Sequence, residues 1–265
     1  MDSRAGPLRS RPVHAHRLPL SVLALCLLLG PSARAAEPAS TPLTFSAAGR
    51  ACSALLTRPE GARAFFVLGH GANMDMRTPF MAALAEALAR QNVATLRFNF
   101  PYADAGRSEP DPPGVLVATV RAAVAEGARR RGALPLVVGG KSLSTLVLVK
   151  VLADDPPAVA GAVMLGYPLH APGRPSVRNA VGLDAIGVPL LFVQGTRDPL
   201  AALSLLRPVV QRLGPHARLH VVEGGDHQFE LEADSYRVGR PPVIEEIAGA
   251  IAGFAATLPP AQGGD

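Results

Sequence analysis

The sequence has 265 residues, of which 48% are hydrophobic and 18% are charged, with a formal net charge of +5. Five arginines and one aspartate fall within residues 1–35, so the rest of the chain is close to neutral, which argues against a nucleic-acid or membrane-binding patch. Only one cysteine, Cys52, lies beyond residue 35, and this excludes an intrachain disulfide there.

Residues 1–35 have the layout of a secretory signal peptide. Arginines precede an almost wholly apolar stretch from Leu18 to Gly30, which is too short for a comfortable membrane span. Ala33 and Ala35 take the −3 and −1 places of a cut before Ala36. We therefore expect an exported protein, periplasmic or secreted, without stable membrane association after cleavage; an uncleaved anchor is the alternative.

Residues 36–265 have the length of a single domain, whose core we place at about 43–258. Apolar runs alternate with stretches of helical length, which predicts right-handed crossovers and a mostly parallel sheet of about eight strands with helices on both faces. We expect the first two strands, joined by Ala48 and Gly49, to form an antiparallel edge hairpin. Strands are expected near 43–47, 51–57, 64–69, 93–98, 134–139, 160–165, 188–193 and 217–222. Helices are expected near 79–91, 114–131, 143–154, 200–213 and 243–258.

The most informative segment follows the fifth expected strand. An apolar run, Leu134 to Val138, ends in two glycines, a lysine and Ser142, and an apolar run of helical length comes next. Strand, sharp turn, serine and helix form the layout of a nucleophile elbow, although Ser144 stands where glycine is usual. A phosphate-binding loop is rejected because Pro135 takes the place of its first glycine. A simple helix cap is the other role open to Ser142.

Two more polar residues follow later strands. Asp198 comes shortly after the strand near 188–193, and His227 after the one near 217–222. Sites assemble at the carboxyl edge of an open α/β sheet, and serine, aspartate, histidine is a known chain order of hydrolase triads. Asp226 is a rival acid, but a residue adjacent to His227 can seldom reach the far ring nitrogen. We therefore predict Ser142, Asp198 and His227 as nucleophile, acid and base.

Acyl transfer through a serine also requires two backbone N–H donors for the developing oxyanion. One donor is expected from Leu143, the residue after the nucleophile. The other is expected from Ala72, in the glycine-rich loop after the third strand. The side chain of His70 is expected to tie this loop down.

Seven segments carry recognisable motifs: residues 68–76, 79–81, 96–102, 139–142, 165–170, 193–198 and 225–227. Together they resemble a branch of the α/β-hydrolase superfamily that contains bacterial dienelactone-hydrolase-like proteins and an animal subunit of a histone-acetylation (non-specific lethal) complex. The resemblance covers nearly all of residues 64–230 and implies the α/β-hydrolase fold, with Ser142, Asp198 and His227 in the triad positions. Dienelactone hydrolases proper have cysteine in place of Ser142, and the animal relatives indicate that this scaffold can serve in a complex.

The connections predict an open, shallow site. Residues 166–187 are too few for a large cap domain, and the loop 102–114 is expected to overhang the site. Arg97, Arg107 and Arg174 are candidates for binding an anionic group, with a solvated loop position as the alternative for each.

These features predict a serine hydrolase that cleaves a small ester, thioester or lactone through an acyl-enzyme. No cofactor is expected, and no metal, because no His/Cys/Asp cluster has ligand spacing. An acyltransferase with the same triad and a non-catalytic hydrolase-like binding protein remain as alternatives.

Overall fold

The computed structural model describes residues 39–231 and 242–260, together with the isolated residue Asp2. Apart from Asp2, the expected signal peptide lies outside the described residues. The strands are β1 (Ser40–Ala47), β2 (Arg50–Thr57), β3 (Ala64–Gly69), β4 (Val93–Phe98), β5 (Leu136–Lys141), β6 (Gly161–Leu165), β7 (Leu190–Gly195) and β8 (Ala217–Val222). The helices are α1 (Pro79–Arg90), α2 (Pro101–Asp104), α3 (Pro113–Arg130), α4 (Leu143–Asp154), α5 (Leu203–Leu213) and α6 (Val243–Ala255).

The strands form one eight-stranded sheet in the order β1-β2-β4-β3-β5-β6-β7-β8. β1 and β2 pair antiparallel, as do β2 and β4, while β4, β3 and β5 to β8 run parallel. The hairpin turn between β1 and β2 has Ala48 and Gly49 at φ 49° and 72°. Two positive φ angles in a two-residue loop match the twist of the flanking strands. The predicted edge hairpin is confirmed.

The core occupies both faces of the sheet. Side chains of α3, α4 and α5 pack on one face and those of α1 and α6 on the other. The central strands are covered on both sides and are therefore apolar without alternation, as the fully buried β3 illustrates. Cys52 lies in β2 within this core, where burial raises the pKa of its thiol to about 11.

All eight strands were predicted, and the main differences lie at the ends of elements. β5 ends at Lys141, two residues later than expected, because its pairing with β6 continues to that residue. α5 begins at Leu203 and not near 200. The preceding amide groups are already engaged: Leu200 N–H with the Asp198 carboxylate and Ala202 N–H with the His170 ring.

The loops are more structured than the sequence indicated. The expected overhanging loop 102–114 begins within α2, and the connection 166–187 contains two single 3₁₀ turns, Arg178–Ala180 and Leu183–Ala185. Among the described residues this connection forms no large cap, as predicted. None of the described helices combines the length and the apolar character that a membrane crossing requires.

Candidate active site

Polar side chains follow three parallel strands at one edge of the sheet. Ser142 directly follows β5, Asp198 comes three residues after the end of β7, and His227 five residues after the end of β8. Since β5, β6, β7 and β8 run parallel, their carboxyl ends lie side by side. The structure brings the three predicted triad residues together at this edge.

The backbone at Ser142 is held in a strained conformation. Its φ and ψ are 51° and −111°, a region that residues other than glycine rarely occupy. The N–H of Ser142 donates to the carbonyl of Leu165 at 2.9 Å. Its carbonyl accepts from the N–H and the hydroxyl of Thr145, at 2.9 and 2.6 Å. The strand–turn–helix geometry of an elbow is therefore present and is fixed from both sides.

Ser144 fills the space between the elbow and the neighbouring strand. A Cβ at Gly140 would lie 2.3 Å from the Cβ of Ser144, and one at Gly69 would lie 2.5 Å from its Oγ. The buried Ser144 hydroxyl donates to the carbonyl of His70 at 2.5 Å. The sequence indicated the need for a small residue here, but it gave no sign of this hydrogen bond to the loop after β3.

The side chains of Ser142, His227 and Asp198 form a continuous hydrogen-bonded chain. His227 Nε2 lies 2.9 Å from Ser142 Oγ, and His227 Nδ1 lies 2.7 Å from Asp198 Oδ2. The Asp198 side chain is fully buried, and that of His227 is 16% exposed. A carboxylate only accepts hydrogen bonds, so in the neutral form of the ring the proton lies on Nδ1 and the lone pair of Nε2 faces the serine hydroxyl.

Asp198 is oriented by two further donors. Gln194 Nε2 donates to Oδ2 at 2.5 Å, and the N–H of Leu200 donates to Oδ1 at 2.8 Å. Gln194 is buried, and its own Oε1 accepts from the N–H of Tyr167 at 2.9 Å. Sequence reasoning missed Gln194, whose one signal was a polar side chain at the end of an otherwise apolar strand.

The rival acid Asp226 has a different task. Its Oδ1 accepts from the N–H groups of Gln228 and Glu230, at 2.8 and 2.9 Å. These bonds close the turn that carries His227, while the ring nitrogen Nδ1 is reached by Asp198. The structure therefore places Asp198 against the ring and Asp226 in the turn.

The loop after β3 is fixed by the ring of His70, which is fully buried. Its Nε2 accepts from the N–H of Phe100 at 3.2 Å, so Nδ1 carries the proton and donates to the carbonyl of Gly71 at 2.8 Å. The Tyr102 hydroxyl donates to the same carbonyl at 3.2 Å. Burial lowers the pKa of His70, which keeps this ring neutral.

The fixed carbonyl of Gly71 orients the next N–H group. Every described peptide bond is trans, and in a trans peptide the C=O and the following N–H point in opposite directions. The N–H of Ala72 therefore points away from His70 and Tyr102. Leu143 begins α4, so its N–H has no acceptor within that helix. Across residues 39–231 and 242–260, neither N–H is paired with an acceptor.

A sequence model described as the alpha/beta hydrolase domain matches residues 62–256. The chain belongs to this family. The membership predicted from the sequence motifs is thereby confirmed.

Solved structures agree with the family on the fold. The chain is similar to a dienelactone hydrolase from Anabaena variabilis, with 18% identity and a TM-score of 0.66 over 84% of this chain and 99% of the other. A serine hydrolase homologue from Coxiella burnetii is 19% identical, with a TM-score of 0.63 over 81% of this chain and 96% of the other. An esterase domain from Rhodothermus marinus is 16% identical, with a TM-score of 0.63 over 83% of this chain and 99% of the other. The predicted α/β-hydrolase fold is confirmed.

The connection 166–187 of this α/β hydrolase is anchored beside Asp198. The ring Nε2 of His170 accepts from the N–H of Ala202 at 3.0 Å. The backbone N–H of His170 donates to the carbonyl of Leu200, also at 3.0 Å. The Tyr167 hydroxyl donates to the carbonyl of Asn179, deeper in the connection. These bonds tie the connection to the turn after β7 and hold it down as a short loop.

The three candidate arginines have different surroundings. Arg97 is buried in β4 and donates to the carbonyl of Met76 and to Ser40 Oγ, at 3.1 and 3.0 Å. Arg107 pairs with Asp111 at 2.5 Å. Arg174 is exposed in the connection 166–187. Arg97 is therefore a structural residue and not the solvated loop residue considered as its alternative. The described residues contain no group of three or more His, Cys, Asp or Glu side chains placed for a metal ion.

Proposed function

We propose that this protein is a serine hydrolase that cleaves a small ester, thioester or lactone through an acyl-enzyme intermediate. The observation that carries the proposal is the single chain of contacts from Ser142 Oγ to His227 Nε2 at 2.9 Å and from His227 Nδ1 to Asp198 Oδ2 at 2.7 Å. It occurs at a strained strand–helix turn, in a member of the α/β-hydrolase family. The esterase domain similar in fold supports the same reaction class.

The first half of the reaction starts with the ring proton of His227 on Nδ1. The lone pair of His227 Nε2 takes the hydroxyl proton as Ser142 Oγ bonds to the acyl carbon, and the carbonyl electron pair moves onto its oxygen. Asp198 orients the ring and stabilises the imidazolium that forms. The free N–H groups of Ala72 and Leu143 then face the oxyanion as its two donors.

The second half regenerates the enzyme. The tetrahedral intermediate collapses, and the leaving alcohol or thiol takes the proton from His227, which leaves the acyl group on Ser142. Water attacks this ester while His227 accepts its proton, and a second collapse passes that proton to Ser142 Oγ and releases the carboxylic acid. In a lactone the leaving hydroxyl remains part of the acyl chain, so the product is a single hydroxy acid.

The size of the substrate follows from the connections around the site. The chain after β6 forms only two single 3₁₀ turns and is pinned at His170, so it adds little apolar wall above Ser142. Each methylene buried contributes about 0.8 kcal/mol, roughly fourfold in affinity. In an open site only the first few carbons are buried, so longer acyl chains gain no further affinity. We expect catalytic efficiency to peak at short acyl chains, about two to six carbons on this basis.

An ester panel graded by acyl length, with and without an added alcohol acceptor, tests this function. The expected products are the free acid and alcohol, with efficiency levelling off at short chains and no activity in Ser142→Ala. If the main product is the added alcohol carrying the transferred acyl group, the protein is an acyltransferase. Efficiency that still rises at long chains would show a buried acyl channel and contradict the open site.

A further inference from the structure

Lys141 is a buried cation that the triad does not include. It is the last residue of β5, directly before Ser142, and its side chain is fully buried. The chain has only two lysines, and the other, Lys150, is exposed on α4 in an ion pair with Asp154 at 2.9 Å. Burial lowers the pKa of Lys141 from 10.5 to about 8. Burying an ammonium is costly, and core packing alone does not require one.

The ammonium of Lys141 reaches across the end of β6 to the turn that carries His227. Its Nζ donates to the backbone carbonyl of His227 and lies 5.3 Å from the centroid of the Phe229 ring. A Cβ at Gly166 would lie 2.9 Å from Nζ, so the glycine leaves room for the Lys141 side chain. Lys141 therefore joins the strand that presents the serine to the loop that presents the histidine.

The charge of Lys141 also acts on the triad. The position of a Cβ at Gly166 is 2.9 Å from Lys141 Nζ and 3.5 Å from Cε1 of the His227 ring, so the ammonium and the imidazole flank one point. Asp198 and Asp226, on the loops after β7 and β8, are the charged groups that favour the ammonium form. A pKa of about 8 keeps that form predominant at pH 7. A positive charge here opposes protonation of the neighbouring imidazole, while Asp198 favours it.

We propose that Lys141 is a positioning residue: its ammonium fixes the carbonyl of His227 and, through its charge, keeps the ring in the neutral form that accepts the Ser142 proton. This role rests on the proposed hydrolase function of the same site. Lys141 acts through His227 and is not placed among the reacting groups. Loss of its charge should therefore change how activity depends on pH, which a purely structural residue would not do.

Three variants separate the bond from the charge. Lys141→Met removes both within a similar shape, Lys141→Gln keeps a donor without the charge, and Lys150→Met is the matched control on the surface. At pH 7 we expect Lys141→Met to lower kcat/KM on the order of 10²-fold through misplacement of the base. Both Lys141 variants should move the acid limb of the rate profile upward by about one pH unit. Lys150→Met should match the wild type.

Stability provides the internal check on these variants. Lys141→Met removes a buried charge but leaves the carbonyl of His227 without this donor, which lowers the free energy of unfolding. The melting temperature of each variant is therefore measured with its kinetics, and pH profiles are compared only between folded proteins. If Lys141→Met fails to fold, Lys141→Gln alone still reports the effect of charge on the acid limb.

An NMR titration of the His227 ring in the full chain gives a readout that needs no activity. We expect the ring signals of Lys141→Gln and Lys141→Met to titrate at higher pH than those of the wild type and of Lys150→Met. An unchanged midpoint in folded Lys141 variants overturns the proposal. If the wild type hydrolyses nothing but the midpoint moves, the positioning role of Lys141 stands and the proposed hydrolase function fails. The two ideas are thereby tested apart.

Discussion

Two loops at the same edge of the sheet carry a histidine, and they use it in opposite ways. In the loop after β3, both ring nitrogens of His70 are bonded to backbone groups, the carbonyl of Gly71 and the N–H of Phe100. In the loop after β8, the ring of His227 faces the side chains of Asp198 and Ser142. Backbone partners fix a shape, whereas a carboxylate and a hydroxyl allow a proton to move. The partners therefore decide the role of each histidine.

The largest effect should come from His227→Gln. Glutamine cannot accept the serine proton, and loss of the base in a serine protease lowers turnover on the order of 10⁶-fold. The melting temperature should change little, because the His227 side chain is partly exposed. Steady-state kinetics and thermal unfolding of the same preparation measure both. Turnover within tenfold of the wild type would remove His227 from the mechanism.

Asp198→Asn should have the next largest effect. An amide in place of the carboxylate leaves the ring of His227 in the wrong tautomer, which costs on the order of 10⁴-fold in turnover by analogy with serine proteases. Asp226→Asn is the matched control, since its oxygen can still accept from Gln228 and Glu230. We expect that control to stay within a few-fold. Similar losses in both variants would contradict the assignment of Asp198 as the acid.

His70→Gln should lower stability more, and turnover less, than His227→Gln. Leaving buried backbone groups unpaired costs about 1–3 kcal/mol of unfolding free energy. Turnover should fall about 10²-fold, the effect of losing one oxyanion donor, because the N–H of Ala72 is no longer oriented. Denaturant unfolding and kinetics measure the two losses. Complete loss of turnover with unchanged stability would give His70 a chemical role and break the comparison.

The same variant has a pH signature with a definite sign. Burial lowers the pKa of His70 below its ordinary value of 6.5, so the unfolded chain takes up a proton that the folded one resists. The folded wild type should therefore lose stability as the pH falls below 6.5. His70→Gln should lose less over that range. Parallel stability curves for the two proteins between pH 7 and 5 would contradict a neutral, buried His70.

Ser144→Ala should have the smallest effect. It keeps the small side chain against Gly69 and Gly140 but removes the hydrogen bond to the carbonyl of His70. A buried hydrogen bond contributes about 1 kcal/mol, which is roughly fivefold in turnover if the whole effect reaches the oxyanion loop. Ser144→Leu is the steric counterpart and should disrupt the elbow. Unchanged kinetics in Ser144→Ala would mean that the hydroxyl contributes nothing to the loop.

The sequence was sufficient for the elements that local patterns determine. Continuous apolar runs marked buried central strands such as β3, and small or polar residues just past the strand ends marked Ser142, Asp198 and His227. The mostly parallel α/β sheet followed from the same patterns, and the resemblance of the motif segments implied the α/β-hydrolase fold. The serine in place of glycine at position 144 also signalled a departure, although not its hydrogen bond.

The sequence was insufficient where a side chain finds its partner far along the chain. The bond from Ser144 to His70 spans 74 residues, and the bond from Lys141 to the carbonyl of His227 spans 86. Gln194 supports Asp198 from only four residues away, but the direction of its side chain depends on the N–H of Tyr167, two residues past the end of β6. No local periodicity encodes such contacts. They exist only once the strands lie side by side.

The central claim is that the ring of His227 activates Ser142. It is tested most directly by labelling the purified protein with a fluorophosphonate and locating the adduct by peptide mass spectrometry. We predict one adduct per chain, on Ser142, with labelling that slows toward acid pH and is abolished in Ser142→Ala and severely slowed in His227→Gln. A folded protein that never reacts, or an adduct on another residue, would contradict the account.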